Sequence, residues 1–217
     1  MNKLSIPYFI LIIAAFFFGC GGPVREKNKN ATPSSLSLHV GNGKYKMIDT
    51  KKSVVAWKGS SLNGLNTQTG YVYISKGELL IDNSQPVSGT VEVDMNTIED
   101  KKHGRENKLV NHLKDPDFFE VEKFPFTTMV ITNIKPIDGG NKKVKGNLTI
   151  KGITHPVTFP AKIVFKDGIV EANGRLVIDR TKWDVRYKSA KFYENLANQT
   201  MSDSIEFQMR IVTIRKD

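Results

Sequence analysis

One cysteine, Cys20, and four histidines are all that 217 residues offer as thiol nucleophiles and imidazole ligands. The histidines, His39, His103, His112 and His155, show none of the close pairing found in common metal motifs. There is no G-x-S-x-G, no phosphate-binding P-loop and no dinucleotide fingerprint. Carboxylates are plentiful, but most alternate outward on candidate strands, where a solvated face accounts for them. We therefore expect no enzyme, no resident cofactor and no metal. The sequence also lacks an apolar run long enough to cross a bilayer. The run from Tyr8 to Phe18 has only eleven residues, and at about 1.5 Å per residue it falls short of a ~30 Å hydrocarbon core. A basic stripe is missing too. The formal charge is +10, yet the cations are spread along the chain and no nucleic-acid-binding motif accompanies them, so no nucleic-acid partner is expected. A basic surface of this kind provides solubility and weak attraction to anionic headgroups.

What is present at the start reads as an export signal. Lys3 is followed by the apolar run and then by small residues. The stretch "FFFGCGG" resembles the lipobox of bacterial lipoproteins, with Phe17 where leucine is usual and Gly19 as the small residue before Cys20. The resemblance implies an acylated (palmitate-bearing) Cys20, residues 1–19 removed as a signal peptide, and a membrane attachment through the lipid anchor. Removal would take away only Lys3 and lower the charge from +10 to +9. A lone free thiol is otherwise a liability outside the cytoplasm, and several acyl chains hold where one does not. Residues 20–43 then form a polar, Gly/Asn/Ser-rich tether with too little apolar surface to order itself, reaching about 25 Å on average. The expected location is the bacterial cell envelope, on the periplasmic face or the outer-membrane surface.

Residues 44–217 read as one domain of ordinary size, and its dominant period is two. "VTFPAKIVF" sets Val157, Phe159, Ala161, Ile163 and Phe165 on one face; "VEVDM" and "IEFQMRIVTI" alternate in the same way. Similar runs occur over 54–60, 70–82, 127–136, 143–150 and 169–179, bounded by turn formers such as "DNSQP", "DGGN" and "KDG". Eight strands joined mostly by short turns predict an antiparallel meander. With one apolar face each, these strands must close on themselves or stack on a second sheet. Helical signal is local: residues 104–113 and 189–198 each suffice for about two turns.

Two polar stretches stand out. In "DRTKWDV", Asp179, Arg180 and Asp184 flank Trp183, a pattern expected to form a turn-stabilising salt bridge. In "HLKDPDFFEVEKFP", Phe118 and Phe119 sit in a highly charged connection bracketed by Pro116 and Pro125, which limit regular structure on either side.

Four stretches in order resemble the YceI-like family of polyisoprenoid-binding proteins: "YKMIDTKKSVVAWKGS", "GTVEVDMNTIED", "NHLKDPDFFEVEKFPFTTMVITNI" and "VKGNLTIKGITHPVTFPAKI". The resemblance implies a lipocalin-like, eight-stranded antiparallel β-barrel that holds an isoprenoid lipid, such as a prenyl phosphate or quinone, in its lumen. An eight-stranded barrel is just wide enough to be filled by side chains or to hold one slender ligand. Alternation alone leaves both open, along with a filled structural or stress-protective barrel, a protein-interaction module and a domain that pairs with itself. The lumen candidates are Trp57, Leu79, Ile81, Val91, Val93, Ile131, Leu148, Ile150, Val157, Phe159, Phe165, Leu176, Phe207 and Met209. Phe118, Phe119 and Phe126 are expected to point into the mouth as a lid, the alternative being that the paired phenylalanines plug a dry core. Gly174 interrupts the apolar face of its strand and marks a bend or an open place. Sequestering ~400 Å² of prenyl surface supplies about 10 kcal/mol gross, of which association entropy and chain ordering take back much.

Overall fold

The computed structural model describes residues 43–196 and 199–215. The expected signal peptide, acylated Cys20 and most of the tether lie outside these residues. Alternating apolar positions form nine strands: β1 (Lys44–Met47), β2 (Val54–Ser60), β3 (Thr67–Asp82), β4 (Gln85–Asp100), β5 (Phe126–Pro136), β6 (Lys142–Ile150), β7 (Ile153–Lys166), β8 (Ile169–Asp179) and β9 (Ser204–Val212). Every pairing is antiparallel. The order β3-β2-β9-β8-β7-β6-β5-β4 returns to β3, closing an eight-stranded barrel with no free edge.

The strand missing from the sequence reading is β1. It pairs with the last part of β3, from Lys44↔Ile81 to Met47↔Glu78, while β2 pairs with the first part, from Val55↔Val72 to Ser60↔Thr67. The two are thus one interrupted strand. At the interruption the Asp49 carboxylate accepts from the Lys51 amide at 3.1 Å, and Ser53 Oγ accepts from the Val212 amide at 2.9 Å. Four residues, "KYKM", carry too little apolar alternation to announce a strand.

Closure depends on curvature in the β3–β4 ribbon, where the register shifts three times, between Tyr71 and Tyr73, Ile74 and Lys76, and Leu80 and Ile81. Each irregularity adds local bend and twist. Gly70 is forced by the same crowding: a Cβ there would lie 1.8 Å from the Glu99 carbonyl oxygen and 2.5 Å from the Trp57 ring. Three two-residue turns, Asn83-Ser84, Lys151-Gly152 and Asp167-Gly168, have positive φ at both positions, the conformation whose twist matches a hairpin's strands.

One helix, α1 (Lys108–Lys114), follows β4. It starts four residues later than the sequence suggests, because Gly104 takes φ +68° and the Asn107 side chain caps the Val110 amide at 3.0 Å. Val110 and Leu113 bury its inner face. The second expected helix does not form over the described residues of 189–196. Turns close there instead, with the Phe192 and Tyr193 amides both on the Ser189 carbonyl. Lys188 at φ +46° and Asn195 at φ +60° interrupt the helical path on either side. Residues 197 and 198 lie outside the description. Among the described residues no helix is long and apolar enough to cross a membrane.

Candidate functional site: an elongated apolar cavity

Inward positions of all eight barrel strands surround a cavity of about 340 Å³. On β8 alone it runs from Val170 through Ala172 and Gly174 to Leu176, a rise of about 20 Å. At its floor are Leu79, Pro86 and Val170; at its mouth are Ser60, Gln68, Arg180, Tyr187, Met201 and Ser202. The volume lies in the usual range for small-molecule sites, but the shape is long and narrow.

Thirteen expected lumen residues line this space: Trp57, Leu79, Val91, Val93, Phe118, Phe119, Ile131, Leu148, Ile150, Phe159, Leu176, Phe207 and Met209. Four do not. Ile81 is buried beside Leu79 and Val170, with Phe165 packed against them, in a cluster that seals the far end. Val157 is half-buried against the core. Phe126 reverses its expected direction and is 47% exposed. The register is the reason: Thr127 sits opposite inward-facing Val93, so Phe126, opposite Asp94, must point outward. Gly174 lies on the cavity wall. A Cβ there would meet the Phe159 ring at 3.0 Å, so the missing side chain seats an aromatic ring on the wall.

The mouth is built by the connections. After α1 the chain winds tightly: the Phe118 and Glu120 amides both donate to the Asp115 carbonyl, at 3.0 and 2.9 Å, and the Val121 amide to that of Lys114 at 3.0 Å. Glu120 takes φ +49° to make the turn. This drives Phe118 and Phe119 inward, 4% and 8% exposed, with ring centroids 5.1 Å apart. The pair is buried as core residues are and also forms part of the cavity wall. Asp115, Glu122 and Lys123 face solvent, as their charge requires. Lys151 pins the segment, its buried Nζ donating to the Pro116 carbonyl at 3.1 Å and the Asp184 carbonyl at 3.3 Å, 3.8 Å from Glu120.

Arg180 holds the other connection. It is 1% exposed and donates to the carbonyls of Ser202 at 3.0 Å, Val185 at 2.7 Å and Tyr187 at 2.8 Å. Burial pulls its guanidinium below the ordinary value, opposed by the charges of Asp203 and Asp179. The salt bridge expected within "DRTKWDV" is thus not made by Arg180 to its sequence neighbours. Asp179 instead pairs with Lys191 at 2.7 Å; burial raises its carboxyl, but bonds from Lys191 and Thr181 outweigh that and hold it below the usual range. Trp183 Nε1 donates to the Leu148 carbonyl at 3.1 Å, locking this corner to β6.

Among the described residues, Arg180 is the only Lys, Arg, Asp or Glu side chain on the cavity lining, and it is committed to carbonyl oxygens. Two other polar atoms on lining residues, Trp57 Nε1 and His112 Nε2, are buried without a protein hydrogen-bond partner. On its other edge, His112 Nδ1 lies 3.5 Å from Asp115 and 3.9 Å from Asp117, a cluster with metal-capable side chains that spacing alone did not reveal. Its carboxylates are exposed surface groups. The sequence reading also missed Leu109, Leu113 and His112 as lining residues. Their helix lies across the barrel end, a placement no local pattern encodes.

Comparison with known proteins gives this geometry a family. A model described as the YceI-like domain matches residues 47–213. A UPF0312 protein of Enterobacter sp. (strain 638) is 37% identical over 89 residues, 41% of this chain and 44% of that protein. Protein YceI of Escherichia coli O157:H7 is 35% identical over the same shares. The alignments thus span less than half the length of these curated relatives. Among solved structures, Burkholderia cenocepacia BcnA superposes with a TM-score of 0.62 at 21% identity, covering 77% of this chain and 99% of that one. A structure described as a polyisoprenoid binding domain from Saccharophagus degradans gives 0.56 at 10% identity, covering 79% and 98%. At these identities the two structures speak for the fold, and the family match for descent: the chain belongs to the YceI-like domain family.

Proposed function

We propose that this barrel binds, stores or carries an isoprenoid lipid, with the hydrocarbon tail in the lumen, and that it catalyses no reaction. The observation that carries this reading is the continuous apolar space from Val170 to the mouth. A filled structural barrel would have spent that volume on its own side chains, since protein interiors otherwise pack to crystal density. A long, narrow, apolar hollow suits a slender hydrocarbon chain. The description of the Saccharophagus degradans domain as polyisoprenoid binding adds support at the level of the shared fold. Because the only lining cation is already bonded to three carbonyls, an anionic head would stay at or beyond the mouth, where water meets its desolvation cost.

Within the same proposal, Cys20 is acylated, and the barrel works from a membrane anchor in a bacterial envelope. The export pattern of residues 1–20 supports this. A tethered carrier would meet its guest where that guest is most concentrated. The test is mass spectrometry of organic extracts from gently purified protein. A reproducible prenyl species is the expected result, and clean extracts would overturn the carrier reading. Intact-mass measurement of the membrane-extracted protein tests the anchor, since acylation adds whole fatty-acyl increments to a chain beginning at Cys20.

A further inference from the structure

The cavity mouth is bordered by an uncharged turn that displays two leucines to solvent. In residues 61–66, "SLNGLN", Leu62 is 67% and Leu65 82% exposed. Several polar groups of this turn are bonded within it. Ser61 Oγ donates to Asn63 Oδ1 at 2.6 Å, the Leu65 amide to the same oxygen at 3.1 Å, the Gly64 amide to the Ser61 carbonyl at 2.9 Å, and the Asn66 amide to Ser61 Oγ at 3.1 Å. These bonds lower the number of backbone groups that lose water when the turn approaches an apolar phase.

The turn is also fixed to the mouth. The Leu62 amide donates to the Thr200 carbonyl and the Ser202 amide to the Ser60 carbonyl, each at 2.9 Å. Ser60, Gln68, Met201 and Ser202 all line the cavity, and Gln68 is itself exposed, which puts the opening beside the two leucines. Cations flank this end. On one side, residues 101–105 hold Lys101, Lys102 and Arg105 with no acid, and the Lys101 amide bonds the Thr69 carbonyl at 2.9 Å. On the other, the Met201 amide bonds the Lys188 carbonyl. Past it, half-exposed Phe192 and Tyr193 stand among Arg186, Lys188 and Lys191.

We propose that this rim is a docking surface for an anionic lipid bilayer, with Leu62 and Leu65 inserted among the acyl chains and the cations at headgroup level, so that the cavity mouth faces the membrane. Arg105, Arg186 and Lys191 are paired with Glu99, Asp184 and Asp179, respectively, so charge complementarity rests on Lys101, Lys102 and Lys188: apolar tips flanked by these lysines match a negatively charged interface. The docking goes beyond the identity of any guest. It gives a carrier a route by which a chain passes from bilayer to barrel without crossing water.

The test uses the full chain with Cys20→Ser, so that one new cysteine carries an environment-sensitive nitrobenzoxadiazole label. The label is placed at Leu65→Cys, or at Gln85→Cys at the opposite end of the barrel. On vesicles of phosphatidylcholine with phosphatidylglycerol, the label at position 65 should shift to the blue and lose iodide quenching several-fold, while that at position 85 should not. Leu62→Ser in the labelled chain, or Lys101→Glu with Lys102→Glu, should reduce the response; both are exposed changes that leave the barrel intact. Equal responses at the two positions, or none at 65, would overturn the proposal. So would a shift at 65 that appears with rising protein concentration without vesicles, which would make the rim a contact between copies. A response at 65 from a protein whose extracts hold no prenyl species would leave the docking standing and remove the carrier reading alone.

Discussion

The two ends of the barrel are built differently. At the floor, β3–β4 and β7–β8 are joined by the two-residue turns Asn83-Ser84 and Asp167-Gly168, and a buried cluster of Leu79, Ile81 and Val170 closes the space between them. At the mouth, the chain takes residues 101–125 and 180–203 to connect its strands. Those connections are pinned by buried ionic groups, Lys151 and Arg180, that grip backbone carbonyls. Short hairpins and apolar contact make a permanent seal. Long connections held by a few polar staples make a wall that includes an opening. The difference teaches where to look for function in a closed sheet: the strands supply the container, and the long connections decide access.

The strongest way to break this comparison is at Arg180. Arg180→Met removes a buried cation and leaves three carbonyl groups without their donor, so the mouth should lose about 3–5 kcal/mol. Thermal unfolding, together with hydrogen exchange, should show the loss of protection concentrated in residues 180–203 and spare β7 and β8 near the floor. A uniform loss would mean that the mouth is no separate unit.

The corresponding change at the floor is Val170→Ala, at a fully buried position. It should cost about 2 kcal/mol by lost transfer energy and residual cavity, read as a lower denaturation midpoint.

Midway along β8, Ala172 lines the cavity. Ala172→Phe should fill the channel and lower affinity for a solubilised prenol at least ~10-fold, equal to about 1.4 kcal/mol, with little change in melting temperature. Titration of a fluorescent prenol against the variant checks this; undiminished binding would place the guest elsewhere.

The smallest effect belongs to the outer wall. Bonds from Arg175 and then Gln208 lower the Glu206 carboxyl from 4.5 to about 2. A carboxyl depressed by folding contributes stability that is full above its unfolded value and is lost as pH falls toward the folded one. Glu206→Gln should therefore flatten the pH dependence of denaturant unfolding between about 4.5 and 2, with the small, solvent-screened loss of stability seen at neutral pH and vanishing in acid, and have no effect on the cavity.

Much of the container was legible from residue order. The runs 54–60 and 169–179 became β2 and β8 with the same limits, because alternation bounded by turn formers is a local signal. Eleven of the expected inward strand residues reached the cavity wall for the same reason. What failed, failed where the local signal stops. β1 is held as a strand by its partner β3, not by its own pattern. The segment 189–196 is turned by anchors at Ser189 and Met201 instead of by helix propensity. Phe126 faces outward because pairing with β4 sets its face. Arg180 reads as a surface turn residue in sequence, and becomes the staple of the mouth only because carbonyls from three separate positions converge on it.

The sequence by itself determined an antiparallel β-domain whose sheet closes on itself or stacks on another, since a period of two with one apolar face leaves a sheet no stable choice but to hide that face. It also determined which side chains of a strand share a face, because alternation encodes side. Only the tertiary structure decided how far along the axis each inward residue sits, and whether it meets a neighbour or open space. Empty volume is the remainder after eight strands and their connections have been packed together, and no single segment carries that remainder.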